Sequence, residues 1–178
     1  MTDKLTYKEL ELANYKNTRN VFANLDVTDT AKAAVLAPLN LFIVGNPGTA
    51  KTLLTNDIYM NYFNGNKRES GHGVFIRANP EMDIYNEIFS ELNIERARRE
   101  LTNNIEALLF RADEINRAPT KSQNQFLALG DGDLDSKGKS IKLGMEGYLL
   151  LMATANVGNG RFTGTFDIDP ALYDRLHV

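Results

Sequence analysis

Gly45-Asn46-Pro47-Gly48-Thr49-Ala50-Lys51-Thr52 follows the apolar run Leu41-Phe42-Ile43-Val44 and leads into Leu53-Leu54-Thr55-Asn56-Asp57-Ile58. The order reads as a strand, a glycine-bearing turn and the start of a helix. In such a turn the backbone N–H groups and the helix dipole converge on one space and attract a polyanion. Gly45, Asn46, Pro47, Gly48, Thr49 and Ala50 would form the cradle, Lys51 would bring a positive charge to the β- and γ-phosphates, and Thr52 a hydroxyl to Mg2+. The spacing is that of a phosphate-binding loop, G-x-x-x-x-G-K followed by Ser or Thr, with Ala50 where the second glycine is expected. A residue entering a helix needs no positive φ, so alanine is expected to fit there. The bland alternative is an ordinary strand-to-helix turn that happens to hold a lysine.

Outward from this loop the pattern alternates. Upstream, Leu10, Ala13, Val21, Phe22 and Leu25 give a helical pattern ending near Asp26, and a second helix is expected from Thr30 to Leu36, capped by Thr28 or Asp29 and stopped by Pro38. Downstream, Leu53, Leu54, Ile58, Tyr59, Tyr62 and Phe63 form one helix face ending around Asn64-Gly65-Asn66, and Gly73-Val74-Phe75-Ile76-Arg77-Ala78 reads as a buried strand. Ile84, Tyr85, Ile88, Phe89 and Leu92 recur at helical spacing. The charged run Glu95-Arg96-Ala97-Arg98-Arg99-Glu100 after them reads as a solvated helix face, with a nucleic-acid contact or a ring-facing loop as alternatives.

Ala107-Leu108-Leu109-Phe110-Arg111-Ala112 is strand-like and ends at Asp113-Glu114; Pro119-Thr120 opens a helix with Phe126, Leu127 and Leu129 inward. Gly130-Asp131-Gly132 closes it, residues 131–147 suggest a polar hairpin, and Tyr148-Leu149-Leu150-Leu151-Met152-Ala153-Thr154 is the next buried strand. Pro170 to Leu176 reads as a short helix capped by Asp169. Strands that are nearly all apolar, alternating with helices, predict an α/β fold: a mainly parallel sheet covered on both faces, with ligands at the carboxyl ends of its strands. Gly45, Asp113 and Asn156 each stand at such an end.

The 178 residues suit one domain, and burying roughly 70% of the unfolded surface gives a sizeable core. With 43% hydrophobic and 24% charged residues and a mean hydropathy of -0.33, the chain reads as globular. No apolar run reaches membrane-spanning length and the polar first ten residues lack the apolar core of a secretory signal, so a cytoplasmic location is expected. The chain has no cysteine, which excludes disulfides and thiolate chemistry, and only His72 and His177 offer imidazole. A net charge of -3 gives no global attraction to nucleic acid; Lys137, Lys139 and Lys142 are the only local support for such contact.

Hydrolysis of a nucleoside triphosphate needs a metal holder, a group that orients water, and cations facing the γ-phosphate. Asp113 with Thr52 suits the first task and Glu114 the second. Two solvated loop carboxylates are the alternative, and Arg111 departs from the apolar character usual in a strand leading to such a pair. The four blocks Gly45 to Thr52, Asp113-Glu114-Ile115-Asn116-Arg117-Ala118-Pro119, Ala153-Thr154-Ala155-Asn156 and Ala171-Leu172-Tyr173-Asp174-Arg175-Leu176 together resemble the MoxR branch of AAA+ ATPases. The third and fourth blocks, with Gly158, Gly160 and Gly164 between them, also look like the cobalt-chelatase small subunit and related members.

The resemblance implies a P-loop NTPase of the AAA+ core type using ATP and Mg2+ to remodel a client or adaptor protein or to insert a metal, assembled as a homo-oligomeric, usually hexameric, ring. It implies that Asn156 senses the γ-phosphate and positions water beside Glu114, and that Arg175 acts as an arginine finger on the adjacent subunit's ATP. A turn asparagine and a surface ion pair with Asp174 or a nearby Glu are the bland alternatives. The expected domain is 1–178, an AAA+ core with an N-terminal helical segment over 1–38; the last core strand and the lid domain of the family are expected to be absent. Other functional readings are a nucleotide-binding assembly module with little turnover, a GTP-using motor, for which Asn66-Lys67-Arg68-Glu69 is a superficial and misplaced match, and a nucleic-acid-acting motor.

Overall fold

The computed structural model describes residues 21–22, 25–63, 72–136, 138–156 and 165–176. Most of the expected first helix, Asn64-Gly65-Asn66, Asn66-Lys67-Arg68-Glu69, Lys137, the glycines 158, 160 and 164, and His177 lie outside these residues. Where the first helix was expected to end, Val21–Phe22 (β1) pairs antiparallel with Leu25–Asp26 (β2) instead. Helix α1 (Val27–Leu36) starts earlier than the sequence suggests, because Asp26, and neither Thr28 nor Asp29, caps it: its carboxylate accepts from the Asp29 N–H at 2.7 Å.

The centre is a parallel sheet of four strands in the order β3 (Leu41–Gly45), β10 (Leu150–Asn156), β7 (Leu109–Asp113) and β4 (Gly73–Arg77). Side chains alternate between its faces. On one face Leu41, Leu109, Leu150 and Met152 pack against α1 and α2 (Lys51–Tyr62), which contribute Ala31, Ala34, Val35, Leu54 and Ile58. On the other, Phe42, Phe110, Ala112, Leu151 and Ala153 meet Phe126 and Leu129 of α3 (Thr120–Asp131) and Leu172 of α4 (Pro170–Tyr173). Gly73 is a packing requirement. A Cβ there would lie 2.9 Å from the Tyr59 ring, so only glycine lets α2 sit this close to the sheet.

The stretch after β4 differs from its helical reading. A single π-helical turn, Tyr85–Phe89, runs into an antiparallel hairpin, β5 (Ser90–Asn93) with β6 (Arg98–Leu101). The Asn93 side chain accepts from the Arg96 N–H at 3.1 Å and Ala97 takes φ 47°, so the chain folds back where helix was expected. The charged run therefore forms a turn and a strand. The polar hairpin appears as β8 (Asp133–Ser136) and β9 (Lys139–Lys142), after Gly132 ends α3 in the left-handed conformation.

Candidate active site

The loop between β3 and α2 is built as the sequence suggests, with one correction. Gly48 has φ +80° and open space where a Cβ would stand, so backbone conformation is what demands glycine there. Ala50 was expected to avoid positive φ; it has φ 61° and ψ 21°. The chain must turn sharply before the helix, whose hydrogen bond from Leu54 N to Ala50 O is 3.1 Å, and alanine takes the strained position that the missing glycine would occupy freely. Lys51 Nζ donates to the carbonyls of Gly45 and Asn46, both at 2.8 Å, which places the ammonium against the turn. Burial holds that ammonium below its ordinary pKa, an effect opposed by the carboxylates of Glu114 and then Asp113. Asp113 lies on the same side of the sheet as the start of α2, since Thr52, the residue after Lys51, bonds to it at 3.1 Å.

Asp113 is the last residue of β7 and is buried. Its Oδ1 accepts from Thr52 Oγ1 at 3.1 Å and from Thr154 Oγ1 at 2.6 Å. The Thr154 hydroxyl in turn accepts from the Glu114 N–H at 3.0 Å, so one buried side chain fixes both acids. Glu114 has φ 54°, which turns the chain off the strand and aims its carboxylate at β10. There Asn156 Nδ2 donates to Oε1 at 2.8 Å, while Arg117 Nε pairs with Oε2 at 2.7 Å. Asn116 Nδ2 donates to the Asn156 carbonyl at 3.1 Å; its own amide oxygen is buried and has no partner among the described residues. Asn156 pairs in register with Gly45, which puts it beside the start of the loop.

Gly45, Lys51, Thr52, Asp113, Glu114 and Asn156 thus meet at the carboxyl edge of the sheet, with Asn46, Pro47, Gly48, Thr49 and Ala50 arching over it. Arg175 does not join them. Among the described residues its guanidinium pairs with Asp131 at 2.8 Å, and with neither Asp174 nor a Glu, and its backbone carbonyl accepts from Asn40 at 3.1 Å. Asn40 precedes β3, so Arg175 sits at the opposite end of a strand whose five residues span about 13 Å. Of the two histidines, only His72 is described, and it precedes β4, at the end of that strand away from the site.

Thr154 has no role of its own in the sequence reading, where it stands in the block Ala153-Thr154-Ala155-Asn156 within an apolar strand. A lone hydroxyl in an otherwise buried strand is the signal that points to it, because it must find a partner. The site also fits a small divalent cation. Thr52 Oγ1 and Asp113 Oδ1 are hard oxygen donors 3.1 Å apart at the foot of an anion cradle, which suits an ion that keeps several waters and takes its other ligands from phosphate.

Comparison with curated proteins finds no significant match. Among solved structures, a Cytophaga hutchinsonii protein described as a candidate ATPase shares the fold with a TM-score of 0.57 and 22% identity over 80% of this chain. The chain spans 41% of that protein's length. The family model for the AAA domain of the dynein-related subfamily matches residues 40–176, which takes in β3, the loop, both acids, β10 and α4. The chain therefore belongs to the AAA domain family, dynein-related subfamily.

Proposed function

We propose that the chain binds ATP with Mg2+ and hydrolyses it as a motor of the MoxR type, remodelling a partner protein or driving metal insertion from a homo-oligomeric ring, in the cytoplasm. The observation that carries this reading is the pairing of Thr52 with Asp113 at 3.1 Å beneath the lysine-bearing loop, with Glu114 held by Asn156 at 2.8 Å in the same crevice. Lys51 and the loop amides bind the β- and γ-phosphates. Thr52 and Asp113 hold the metal, which when bound neutralises charge on the phosphate oxygens. Glu114 accepts a proton from, or orients, the attacking water, and Asn156 fixes the carboxylate oxygen that does so. Arg175 lies too far from its own crevice to act there. Its proposed place is at the triphosphate of a neighbouring subunit, which would make turnover depend on assembly.

A second reading has its own support. Both oxygens of Glu114 are engaged, one by Asn156 and one by Arg117, and a carboxylate so held favours a module that binds nucleotide and turns over little. One experiment separates the two. Lys51→Ala is expected to abolish ATP binding; Glu114→Gln is expected to keep binding and lose hydrolysis. Equal turnover in wild type and Glu114→Gln would overturn the motor mechanism, and negligible turnover in the assembled wild type would favour the module. Titrating ATP beside GTP tests the base, and mass measurement with and without Mg2+ and ATP tests the ring.

A further inference from the structure

Arg111 is a buried guanidinium in the middle of a strand whose neighbours Leu109, Phe110 and Ala112 are all buried and apolar. Only 4% of it is exposed. Burying such a charge is costly unless hydrogen bonds and nearby opposite charge compensate. Its hydrogen-bond partners among the described residues come from one element, the helix that follows the phosphate loop. Nε donates to Thr55 Oγ1 at 3.0 Å and Nη1 to Asn56 Oδ1 at 3.1 Å. The guanidinium also lies over two aromatic rings, with Cζ 4.5 Å from the Phe75 centroid and 5.8 Å from the Tyr59 centroid.

These bonds run parallel to the one that matters for the metal. Arg111 and Asp113 lie on the same face of β7, two residues apart, or about 6.6 Å along the strand. Thr52 and the pair Thr55 and Asn56 lie three to four residues apart on α2, or about 4.5 to 6 Å along the helix. Thr52 meets Asp113 while Thr55 and Asn56 meet Arg111. Helix and strand are therefore fastened at two points whose spacing matches. We propose that Arg111 is a positioning residue, locking α2 against β7 so that the Thr52 hydroxyl and the Asp113 carboxylate stay at metal-holding separation. The inference rests on the nucleotide reading above and adds to it a determinant outside the phosphate loop and the acidic pair.

An apolar side chain at 111 would also fill the space, but apolar contact is non-directional and leaves the helix free to slide or rotate by fractions of a turn. A planar fork bonded to two consecutive helix residues fixes both.

The test compares wild type, Arg111→Met, Arg111→Lys and Thr55→Val in equilibrium binding of a fluorescent N-methylanthraniloyl ATP, first in EDTA and then across a MgCl2 titration. Replacing a direct outer partner of a metal ligand costs about 10 to 100-fold in metal affinity; Arg111 acts one step further out, through Thr55 and Asn56, so the low end applies. Arg111→Met is expected to leave binding in EDTA within about twofold of wild type and to raise the half-saturating Mg2+ about tenfold. Arg111→Lys is expected to fall between, since it keeps the charge and loses the fork. Thr55→Val removes the hydroxyl that accepts from Arg111 Nε and donates to the Thr52 carbonyl at 3.2 Å, and spares the apolar packing, which keeps the test valid should Arg111→Met fail to fold; its half-saturation is expected to rise about threefold. A half-saturating Mg2+ equal to wild type in Thr55→Val and in whichever Arg111 variants fold would overturn the inference, as would equal losses in EDTA and in Mg2+, which mark a merely structural role. Wild type that fails to bind the nucleotide at all would overturn the nucleotide reading, and this inference with it.

Discussion

Replacing Thr154 with valine keeps the shape of the side chain and removes its hydroxyl. The hydroxyl donates to Asp113 at 2.6 Å and accepts from the Glu114 N–H at 3.0 Å, in a residue only 1% exposed. A hydrogen bond to a charged group contributes about 1.5 to 3 kcal/mol, and an amide left without a partner costs about 1 to 3 kcal/mol. The Thr52 hydroxyl still reaches Asp113, so the low half of each range applies and a loss of about 3 kcal/mol is expected. In urea at a slope of about 2 kcal/mol/M, the unfolding midpoint should fall by about 1.5 M with the slope unchanged. Thr154→Ser keeps both bonds and deletes one methyl, so it should lose only about 1 kcal/mol. A double-mutant cycle with Asp113→Asn should then show a coupling of at least about 1 kcal/mol. A valine variant within about 0.5 kcal/mol of wild type would refute the view that this hydroxyl ties the two acids together.

Two further outcomes are expected. Ala50→Gly releases an alanine from φ 61°, a strain of about 1 to 2 kcal/mol, against about 0.4 to 1 kcal/mol of added unfolded-state freedom, so the melting temperature should rise by about 1 to 3 °C in a thermal scan; a fall would show that the loop is not strained. In the β5–β6 hairpin, hydrogen bonds from Asn93, Arg98 and Arg96 hold the Glu100 carboxyl down to about 2. Its folded pKa lies below the unfolded one, so the hairpin's support is complete above the ordinary carboxylate range and is lost as pH falls toward about 2. A side-chain NMR titration of Glu100 that shows a midpoint at the ordinary value of 4.5 would refute those bonds.

The parts of the fold legible in the sequence are those where one pattern has one physical meaning. An apolar run of four residues leading into a glycine turn and a lysine reads as a strand feeding a phosphate loop and a helix, and β3, the loop and α2 follow, with β3 at the edge of the described sheet and Val44 40% exposed. The acids were legible as well, since β7 is apolar but for Arg111 until it reaches the edge where Asp113 stands. Ile84, Tyr85, Ile88, Phe89 and Leu92 misled because a helical spacing of apolar residues is also met by a short turn whose Ile84 and Phe89 enter the core and whose Leu92 then projects from a hairpin, 63% exposed. What decides there is Asn93, whose side chain competes for the backbone N–H groups that a helix would need. The bonds of Thr154 and Arg111 were not legible at all. They join residues 40 to 56 positions apart: the register of β10 on β7 brings Thr154 to the acids, and the packing of α2 on the sheet brings Thr55 and Asn56 to Arg111.

Two residues at this edge take left-handed backbone without being glycine, Ala50 and Glu114. Each costs on the order of 1 to 3 kcal/mol, so the surrounding contacts must exceed that for the conformation to persist. At Glu114 they do. Its N–H is bound by Thr154, its carbonyl accepts from Arg117 N at 2.8 Å, and its carboxylate is held on both oxygens, several bonds each contributing about 1 kcal/mol or more. At Ala50 the surroundings offer much less, because the residue is exposed and, among the described residues, carries only the carbonyl bond to Leu54. The carboxylate is thus over-determined and the loop under-supported. A rigid acid pair facing a loop with strain to release is an arrangement in which contacts made to the loop amides, and not movement of the acids, would set the geometry of whatever anion binds between them.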